Sequence, residues 1–193
     1  DFATNGIRGL YSAVSRTAAT GSLANPPVTR VFYTAGPSPD LAKGVTKVYL
    51  ADEFANATLP NGTNTLVQSS ARTNQIIASA DQFDTIGLGS QFVGHAARAY
   101  TGSPMWPGAV SNFASYQVSL SRAATTPATI STTFANNVGS DSVITRSGAL
   151  SIPVNAFQPV GTGPTAPFSF TLPYNTPYTY LGGPLSLLVR HSG

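Results

Sequence analysis

The sequence predicts an all-β protein, an antiparallel β-sandwich or jelly-roll-like domain, and three observations lead to that prediction. Short runs of β-branched and aromatic residues recur along the 193 residues. Fifteen prolines and 18 glycines punctuate the chain, which argues against long helices. Several runs alternate apolar and polar residues at period two, as a strand with one buried face does. Many short strands joined by Gly/Pro turns are typical of sandwiches and jelly rolls.

The first clear strands are Thr29–Thr34 and Val45–Leu50, with the turn sequence Gly-Pro-Ser-Pro between them at residues 36–39. Two short stretches, residues 9–17 and 52–57, are the candidates for a turn or two of helix. No other part of the chain has a helical period.

Period-two alternation is clearest in the second half of the chain. Tyr116, Val118 and Leu120 alternate with Gln117, Ser119 and Ser121, which predicts a strand that is half-buried and half-solvated. The same pattern predicts three further strands and two shorter ones: Ile130 to Phe134, Phe168 to Leu172, Leu185 to Arg190, Val143 to Thr145 and Leu150 to Ile152.

The whole chain, residues 1–193, is predicted to form one domain. A hydrophobic content of 41% is enough for one core, and the length is short for two. Residues 61–73 and 159–167 are predicted to be exposed loops, and neither shows the charge shift of a domain linker.

Charge excludes one class of partner. Only 9% of residues are charged, and the net charge of +3 arises because acids are scarce, with Glu53 the only glutamate. The ten basic residues are scattered rather than clustered. Nucleic-acid binding needs a basic footprint, so we do not expect a nucleic-acid partner.

Cysteine is absent, which excludes disulfides, zinc-thiolate sites and thiol nucleophiles. Scarce Lys and Glu with abundant Thr, Ser, Asn and Gly suit a secreted bacterial surface protein. No run approaches 18 apolar residues, so no membrane span is expected. The start, Asp1-Phe2-Ala3, lacks the features of a signal peptide. We therefore expect a secreted protein to be represented here by its mature form or by an excised fragment.

Catalytic signals are weak. The two histidines are His95 and His191, and Ser90 follows a Gly-Leu-Gly sequence, but Gly-x-Ser-x-Gly is absent. A Gly-rich turn with a surface histidine is the simpler interpretation, and His191, after a strand, is expected to face solvent. No spacing marks the carboxylate pair of a glycosidase. The chain is therefore predicted not to be an enzyme.

Asp81, Asp84 and Asp141 are the candidates for a metal site, because loop carboxylates of sandwich domains bind calcium. The alternative is that these side chains cap turns. No other cofactor is expected.

Aromatic residues supply the candidate ligand-binding positions. Tyr100 and Trp106 belong to a loop rich in Gly and Pro, where planar rings suit the face of a sugar. The alternative is that Trp106 plugs the core. Tyr178 and Tyr180 continue a period-two series begun by Tyr174. They form either an exposed stripe for a partner or the inner face of an edge strand.

Four segments resemble a known family, the β-sandwich module of secreted bacterial proteins that often carry a PEP-CTERM sorting signal. The segments span about 120 residues in the family's order: residues 72–77 with Phe83, then 133–141 (Thr-Phe-Ala-Asn-Asn-Val-Gly-Ser-Asp), 175–180 and 183–193. Thr73 and Ile77 depart from aromatic positions of the pattern, and Pro184 stands for Asn. Residues 72–193 thus resemble the main body of the module.

The start of the chain resembles the end of the same module. Residues 9–11, 17–23 and 28–33 fit its closing strands, so the chain is similar to a circular permutation or to a window cut from tandem repeats. Residues 1–36 then pair either within their own domain or with a neighbouring copy. The resemblance implies secretion and a surface or matrix context, and no established activity.

These observations predict a non-enzymatic extracellular structural protein, the subunit of a surface layer, matrix or filament. Its partners would be copies of itself, joined by β-strand contacts. The alternative is a carbohydrate-binding or adhesion module whose aromatic loop binds a polysaccharide.

Overall fold

The computed structural model describes residues 66–67, 69–84, 86–98, 104–158 and 168–193 in full, and four earlier strands by their backbone alone. The described residues form β-strands and three 3-10 turns, with no α-helix among them. The 3-10 turns are Ala80–Phe83, Pro127–Thr129 and Phe134–Asn137. The prediction of an all-β fold is therefore confirmed.

The strands are short, as the spacing of Gly and Pro requires. In chain order they are β1 (Leu10–Ser15), β2 (Gly21–Ser22), β3 (Thr29–Thr34), β4 (Val45–Leu50), β5 (Arg72–Ala78), β6 (Gln91–Ala97), β7 (Ser111–Phe113), β8 (Tyr116–Arg122), β9 (Val143–Arg146), β10 (Leu150–Ile152), β11 (Phe170–Thr179) and β12 (Leu185–His191).

These strands form three sheets, and every pairing between them is antiparallel. The largest has the order β2-β1-β5-β12-β8-β9, and the second has the order β11-β6-β3-β4. A two-stranded sheet joins β10 and β7. At the centre of the six-stranded sheet, Leu187 lies opposite both Ile76 and Leu120.

One cluster of buried side chains joins the three sheets. Ile76 and Leu187 enter it from the six-stranded sheet, Phe92 and Leu172 from the four-stranded sheet, and Ile152 from the two-stranded sheet. Each fully buried aliphatic or aromatic side chain of this kind contributes about 1.5–3 kcal/mol. The shared core confirms the sandwich-like architecture.

The second face of the six-stranded sheet is also covered, so the half-solvated strand predicted at β8 is wrong. Ser119, Ser121 and Ser186 are buried. The segment of residues 123–142 is hydrogen-bonded to this face, since Gly139 N donates to Ser121 Oγ at 3.1 Å. Gln75, on the same sheet, donates to the carbonyl of Phe134 at 3.2 Å.

Asn137 is the centre of that covering segment. Its side chain is fully buried. The amide Nδ2 donates to Gln75 Oε1 at 2.8 Å and to the Ser131 carbonyl at 3.0 Å. The oxygen Oδ1 accepts from Thr125 Oγ1 at 2.9 Å and from Ser131 N at 2.8 Å. These four contacts fix a compact turn, and the strand predicted from Ile130 to Phe134 is wrong because the turn takes its place.

Of the other predictions, two are wrong and two fall on residues that the structure does not describe. Residues 9–17, a candidate for helix, contain the strand β1, because β5 supplies it with a ladder partner. Leu66 and Val67 are buried core residues within the loop predicted to be exposed. Residues 52–57 and 159–167 lie outside the described residues.

The first strands pair with later parts of the same chain. β1 pairs with β5, and β3 pairs with β4 and β6. Exchange of residues 1–36 with a neighbouring copy stays a prediction. None of the described residues forms a helix long and apolar enough to cross a membrane.

Candidate functional site

The strand β4 forms a regular edge of the four-stranded sheet. β3 pairs with it along all six residues, from Thr29 opposite Leu50 to Thr34 opposite Val45. On its other side, no strand among the described residues pairs with it. An antiparallel edge directs alternate N–H and C=O groups outward. The sequence Val-Thr-Lys-Val-Tyr-Leu has no proline and one charge, Lys47, so this edge suits the addition of another strand.

The opposite edge of the same sheet, β11, is irregular. Its register with β6 shifts between Pro173 and Tyr178, and Pro177 lies within that shift. Proline cannot donate to a ladder, and bulges and prolines are the usual means by which an edge strand resists pairing. Among the described residues, the four-stranded sheet therefore has one blunted edge and one regular edge.

Trp106 is half-buried and packs against the core. Its backbone forms an isolated bridge with Phe157, with N···O distances of 3.0 and 2.8 Å, and the two ring centroids lie 5.7 Å apart. The peptide bond from Trp106 to Pro107 is cis. This placement supports the plug alternative, with part of the indole left exposed. Tyr100 lies outside the described residues.

Three exposed apolar residues lie near that plug along the backbone. Met105, Val110 and Val154 are each about half exposed, at 53%, 54% and 47%. Met105 precedes Trp106 in the chain, and Asn155 N, next to Val154, donates to the Pro107 carbonyl at 2.8 Å. Val110 precedes Ser111, which pairs with Ile152. The three side chains therefore lie at the same end of the two-stranded sheet, and we call them the Met105 patch.

Tyr178 and Tyr180 are buried, so the structure contradicts their assignment as exposed ligand-binding residues and confirms the inner-face alternative. Their ring centroids lie 6.1 and 5.6 Å from that of Phe92. Tyr180 Oη donates to the Gly183 carbonyl at 2.9 Å. The period-two spacing of these tyrosines correctly predicted a strand with one inner face. Tyr178 and Tyr180 are buried because β11 covers the core.

The three candidate calcium ligands do not come together. Asp141 accepts the backbone N–H of Arg122 with both carboxylate oxygens, at 3.0 and 3.1 Å, and the Tyr178 hydroxyl at 2.8 Å. Asp81 accepts a hydrogen bond from Ser79, and Asp84 follows the first 3-10 turn. The part of the chain that the structure describes holds no group of three metal-ligating side chains. The printed contacts of Asp81 and Asp141 are with a neighbouring side chain and with distant strand residues, so turn capping by these carboxylates stays a prediction.

Burial of Tyr178 and its hydrogen bond to Asp141 raise the pKa of this phenol above its ordinary value of 10. The hydroxyl therefore stays protonated and donates to the carboxylate. The pair joins β11 to the loop before β9, and its role is structural.

His95 is buried, so the expectation of a surface histidine is wrong. Its Nδ1 lies 3.0 Å from the Tyr174 hydroxyl, and the ring centroids are 5.6 Å apart. Burial lowers the pKa of His95 from 6.5 to about 4, and the charge of Arg146 acts in the same direction. Ser90 is also fully buried. The imidazole is therefore a neutral member of the core at physiological pH.

His191 is the second misplaced histidine, since it is buried instead of facing solvent. Its ring is nearly parallel to that of Tyr116, with centroids 5.7 Å apart, and the ring of Phe113 meets it edge-on at 5.0 Å. The sequence contains a pattern that predicts this burial. His191 continues the period-two series of Leu185, Leu187 and Val189, which points into the core.

The comparisons with known proteins add no relative. No family model matches the chain, and no curated protein and no solved structure is similar to it at a significant level. The fold and the edge geometry define the class: an antiparallel, sandwich-like β-domain with one regular edge strand among its described residues. The resemblance to the secreted bacterial module stays a prediction.

Proposed function

We propose that this chain is a non-enzymatic structural subunit of a bacterial surface layer, extracellular matrix or filament, and that copies join by strand addition at β4. The observation that carries the proposal is the contrast between the edges of the four-stranded sheet. β11 carries the features that prevent pairing, and β4 carries none of the prolines or bulges that would do so. A partner at β4 would satisfy its outward backbone groups.

Strand addition provides affinity without a specialised side-chain site. A six-residue edge offers about six outward N–H and C=O groups, and each hydrogen bond made contributes about 0.5–1.5 kcal/mol. The low charge of the chain supports the same function, because only 9% of its residues are charged and like-charge repulsion between copies is small.

Proline substitution at the edge tests the proposal. Neighbouring residues of an edge strand direct their N–H groups alternately toward the sheet and outward. Of Lys47→Pro and Val48→Pro, one therefore keeps the ladder with β3 and removes an outward donor. Asn175→Pro is the matched control, since Asn175 is exposed and lies in the irregular part of β11.

Sedimentation velocity over a concentration series, with negative-stain microscopy, gives the readout. Pairing of two β4 edges closes as a dimer, so we expect the wild type and Asn175→Pro to sediment as dimers at least, with ordered polymers where a second contact links these dimers. The folded member of the β4 pair, identified by an unchanged melting temperature, should remain monomeric. A wild type that stays monomeric at every concentration would contradict the proposal, and so would a folded β4 variant that still polymerises.

The Met105 patch favours a second candidate function, adhesion to a polysaccharide. Three half-exposed apolar residues near Trp106 offer apolar side chains on which the C–H face of a sugar can stack. A glycan array should show retention by the wild type and loss by Val154→Ser, which leaves the core intact. Retention of no glycan, or equal retention by the variant, would exclude this function.

A further inference from the structure

The four-stranded sheet ends at β4, and a second copy of this chain is the partner that the proposed function assigns to that edge. Two identical strands pair symmetrically only when they run antiparallel about a twofold axis perpendicular to the sheet. The two four-stranded sheets would then form one sheet of eight strands, with β11 at both outer edges. The register of the two β4 strands, which rests on the proposed function, is restricted by backbone geometry and by charge.

Backbone geometry excludes half of the conceivable registers. In an antiparallel pair, two opposed residues direct their N–H and C=O groups either both toward each other or both away. These directions alternate along a strand, so an outward residue of one copy can oppose only an outward residue of the other. The numbers of two opposed residues therefore differ by an even number, and one residue lies opposite its own counterpart on the twofold axis.

Two of the remaining registers give the largest overlap for β4, which has six residues, Val45–Leu50. With Lys47 opposite its counterpart, residues 45–49 of the two copies pair. With Val48 opposite its counterpart, residues 46–50 pair. Both registers join the same number of residues, so the extent of pairing does not distinguish them.

Charge distinguishes the two registers. Lys47 is the only charged residue of β4, and the first register places it directly opposite the same lysine of the second copy. Like charges directly opposite each other destabilise a pair of strands. The second register instead places Lys47 opposite Tyr49 of the second copy, and the twofold axis repeats this pair. A tyrosine is a favourable neighbour for a cation, so the second register removes the repulsion.

The position of Val48 in the sheet favours the same register. Val48 lies opposite Val31, and Val31 lies opposite His95. His95 in turn lies opposite Leu172, and both of these residues are buried. Opposed residues share a face of the sheet, so position 48 is on the core face. Valine suits a pleated, half-buried surface, and two opposed valines would continue this row across the junction.

We infer that two copies of this chain join through antiparallel β4 strands, with Val48 of one copy directly opposite Val48 of the other. On either side of this central pair, Lys47 lies opposite Tyr49 and Thr46 lies opposite Leu50. The register makes the core face of the joined sheet continuous, and it places the two lysines on the outer face without opposing them.

Single cysteines test this register, because the chain contains none of its own. Directly opposed residues of antiparallel strands have Cα atoms about 4.5–5.5 Å apart, within the range of roughly 4.4–6.8 Å that a disulfide spans. Diagonal neighbours lie about 7–8 Å apart, beyond that range. The test variants are Val48→Cys and Lys47→Cys. Asn175→Cys is the control for random collisions, since Asn175 is exposed and lies in the irregular part of β11.

Non-reducing gels measure the rate at which linked dimers form after oxidised glutathione is added to the assembled protein. Unchanged melting temperatures in reductant identify the folded variants. We expect Val48→Cys to cross-link at least tenfold faster than Asn175→Cys, and Lys47→Cys to react no faster than this control. Fast cross-linking of Lys47→Cys, alone or together with Val48→Cys, would overturn the register while leaving assembly through β4 intact.

An equimolar mixture of Lys47→Cys and Tyr49→Cys gives a second readout that leaves Val48 in place. We expect a mixed disulfide between the two chains, identified by mass spectrometry, in at least tenfold excess over either linked homodimer. Linked homodimers of Lys47→Cys in place of the mixed species would assign the lysine-centred register. If no folded β4 variant cross-links faster than Asn175→Cys in either experiment, assembly through β4 is itself wrong, and the proposed function fails with it.

Discussion

The Asn137 side-chain amide donates a 2.8 Å hydrogen bond to Gln75 Oε1, and this contact joins residues 62 positions apart in the sequence. Gln75 in turn donates to Ser186 Oγ at 3.1 Å. A chain of buried amides and hydroxyls thus fixes the segment of residues 123–142 to the six-stranded sheet. Residues 133–141 lie within that segment and therefore have a structural role in this fold.

Replacing Asn137 by Ala should lower the free energy of unfolding by about 2–4 kcal/mol. The substitution removes the Asn137 partner of Gln75 Oε1 and of the Ser131 N–H and carbonyl, and each buried polar group left unpaired costs about 1–3 kcal/mol. Asn136→Ala is the control, because Asn136 is exposed and its side chain donates to the Ser131 hydroxyl. It should cost less than about 0.5 kcal/mol. Urea denaturation measures both, and equal values would disprove the role of the network.

Glycine at position 94 is required by the close approach of β11. A Cβ at Gly94 would stand 2.9 Å from the Leu172 carbonyl oxygen and 3.2 Å from Pro173 Cα, and backbone atoms of a ladder cannot move aside freely. Gly94→Ala should therefore destabilise the protein by about 1–3 kcal/mol. At Gly108 a Cβ meets nothing within 4 Å, so Gly108→Ala should be nearly neutral. Thermal unfolding of both variants measures the difference in stability. An unchanged melting temperature in Gly94→Ala would contradict the close packing of β11 against β6.

Two buried tyrosines differ in what their hydroxyls bind. Tyr178 donates to the carboxylate of Asp141, and Tyr180 donates to the neutral carbonyl of Gly183. Hydrogen bonds to charged groups contribute about 1.5–3 kcal/mol and neutral ones about 0.5–1.5 kcal/mol. Tyr178→Phe should thus cost more stability than Tyr180→Phe. The reverse order in denaturant titrations would show that Asp141 is held mainly by the Arg122 backbone.

Stability should fall as pH decreases from about 6.5 to about 4. Burial lowers the pKa of His95 to about 4, so between these values the unfolded chain binds a proton that the folded chain excludes. The stabilisation is complete above pH 6.5 and is lost as pH falls toward the folded pKa, by up to about 3 kcal/mol for a shift of this size. The pKa of His191 is also lowered to about 4, by burial and by Arg72, and acts in the same direction.

The variant His95→Gln isolates the first contribution. Its free energy of unfolding should vary less between pH 7 and pH 4.5 than that of the wild type, because one of the two titrating histidines is gone. An identical pH profile in the two proteins would mean that folding does not lower the pKa of His95.

The strands of the sheet interiors were predictable from sequence because local pattern and tertiary burial agree there. Leu185–His191, at the centre of the six-stranded sheet, shows this directly. The burial of the serines in β8 and β12 could not be predicted, because a period-two pattern does not reveal that a distant turn covers the polar face. The prediction of a strand at residues 130–134 failed for the same reason, because the turn found there depends on Gln75, more than 50 residues away.

The candidate sites also include some that the sequence could predict and some that it could not. The inner-face alternative for Tyr178 and Tyr180 could be stated from alternation alone. The regular edge at β4 could not be predicted, because it depends on the order β11-β6-β3-β4 of the four-stranded sheet. Sequence spacing carries no trace of that order.

Hydrogen–deuterium exchange of the assembled and monomeric protein tests assembly through β4 most directly. We expect assembly to slow the exchange of alternate amides within residues 45–50, while the amides of β11 exchange as they do in the monomer. Unchanged exchange at β4 in fully assembled material, or new protection at β11 instead, would contradict it.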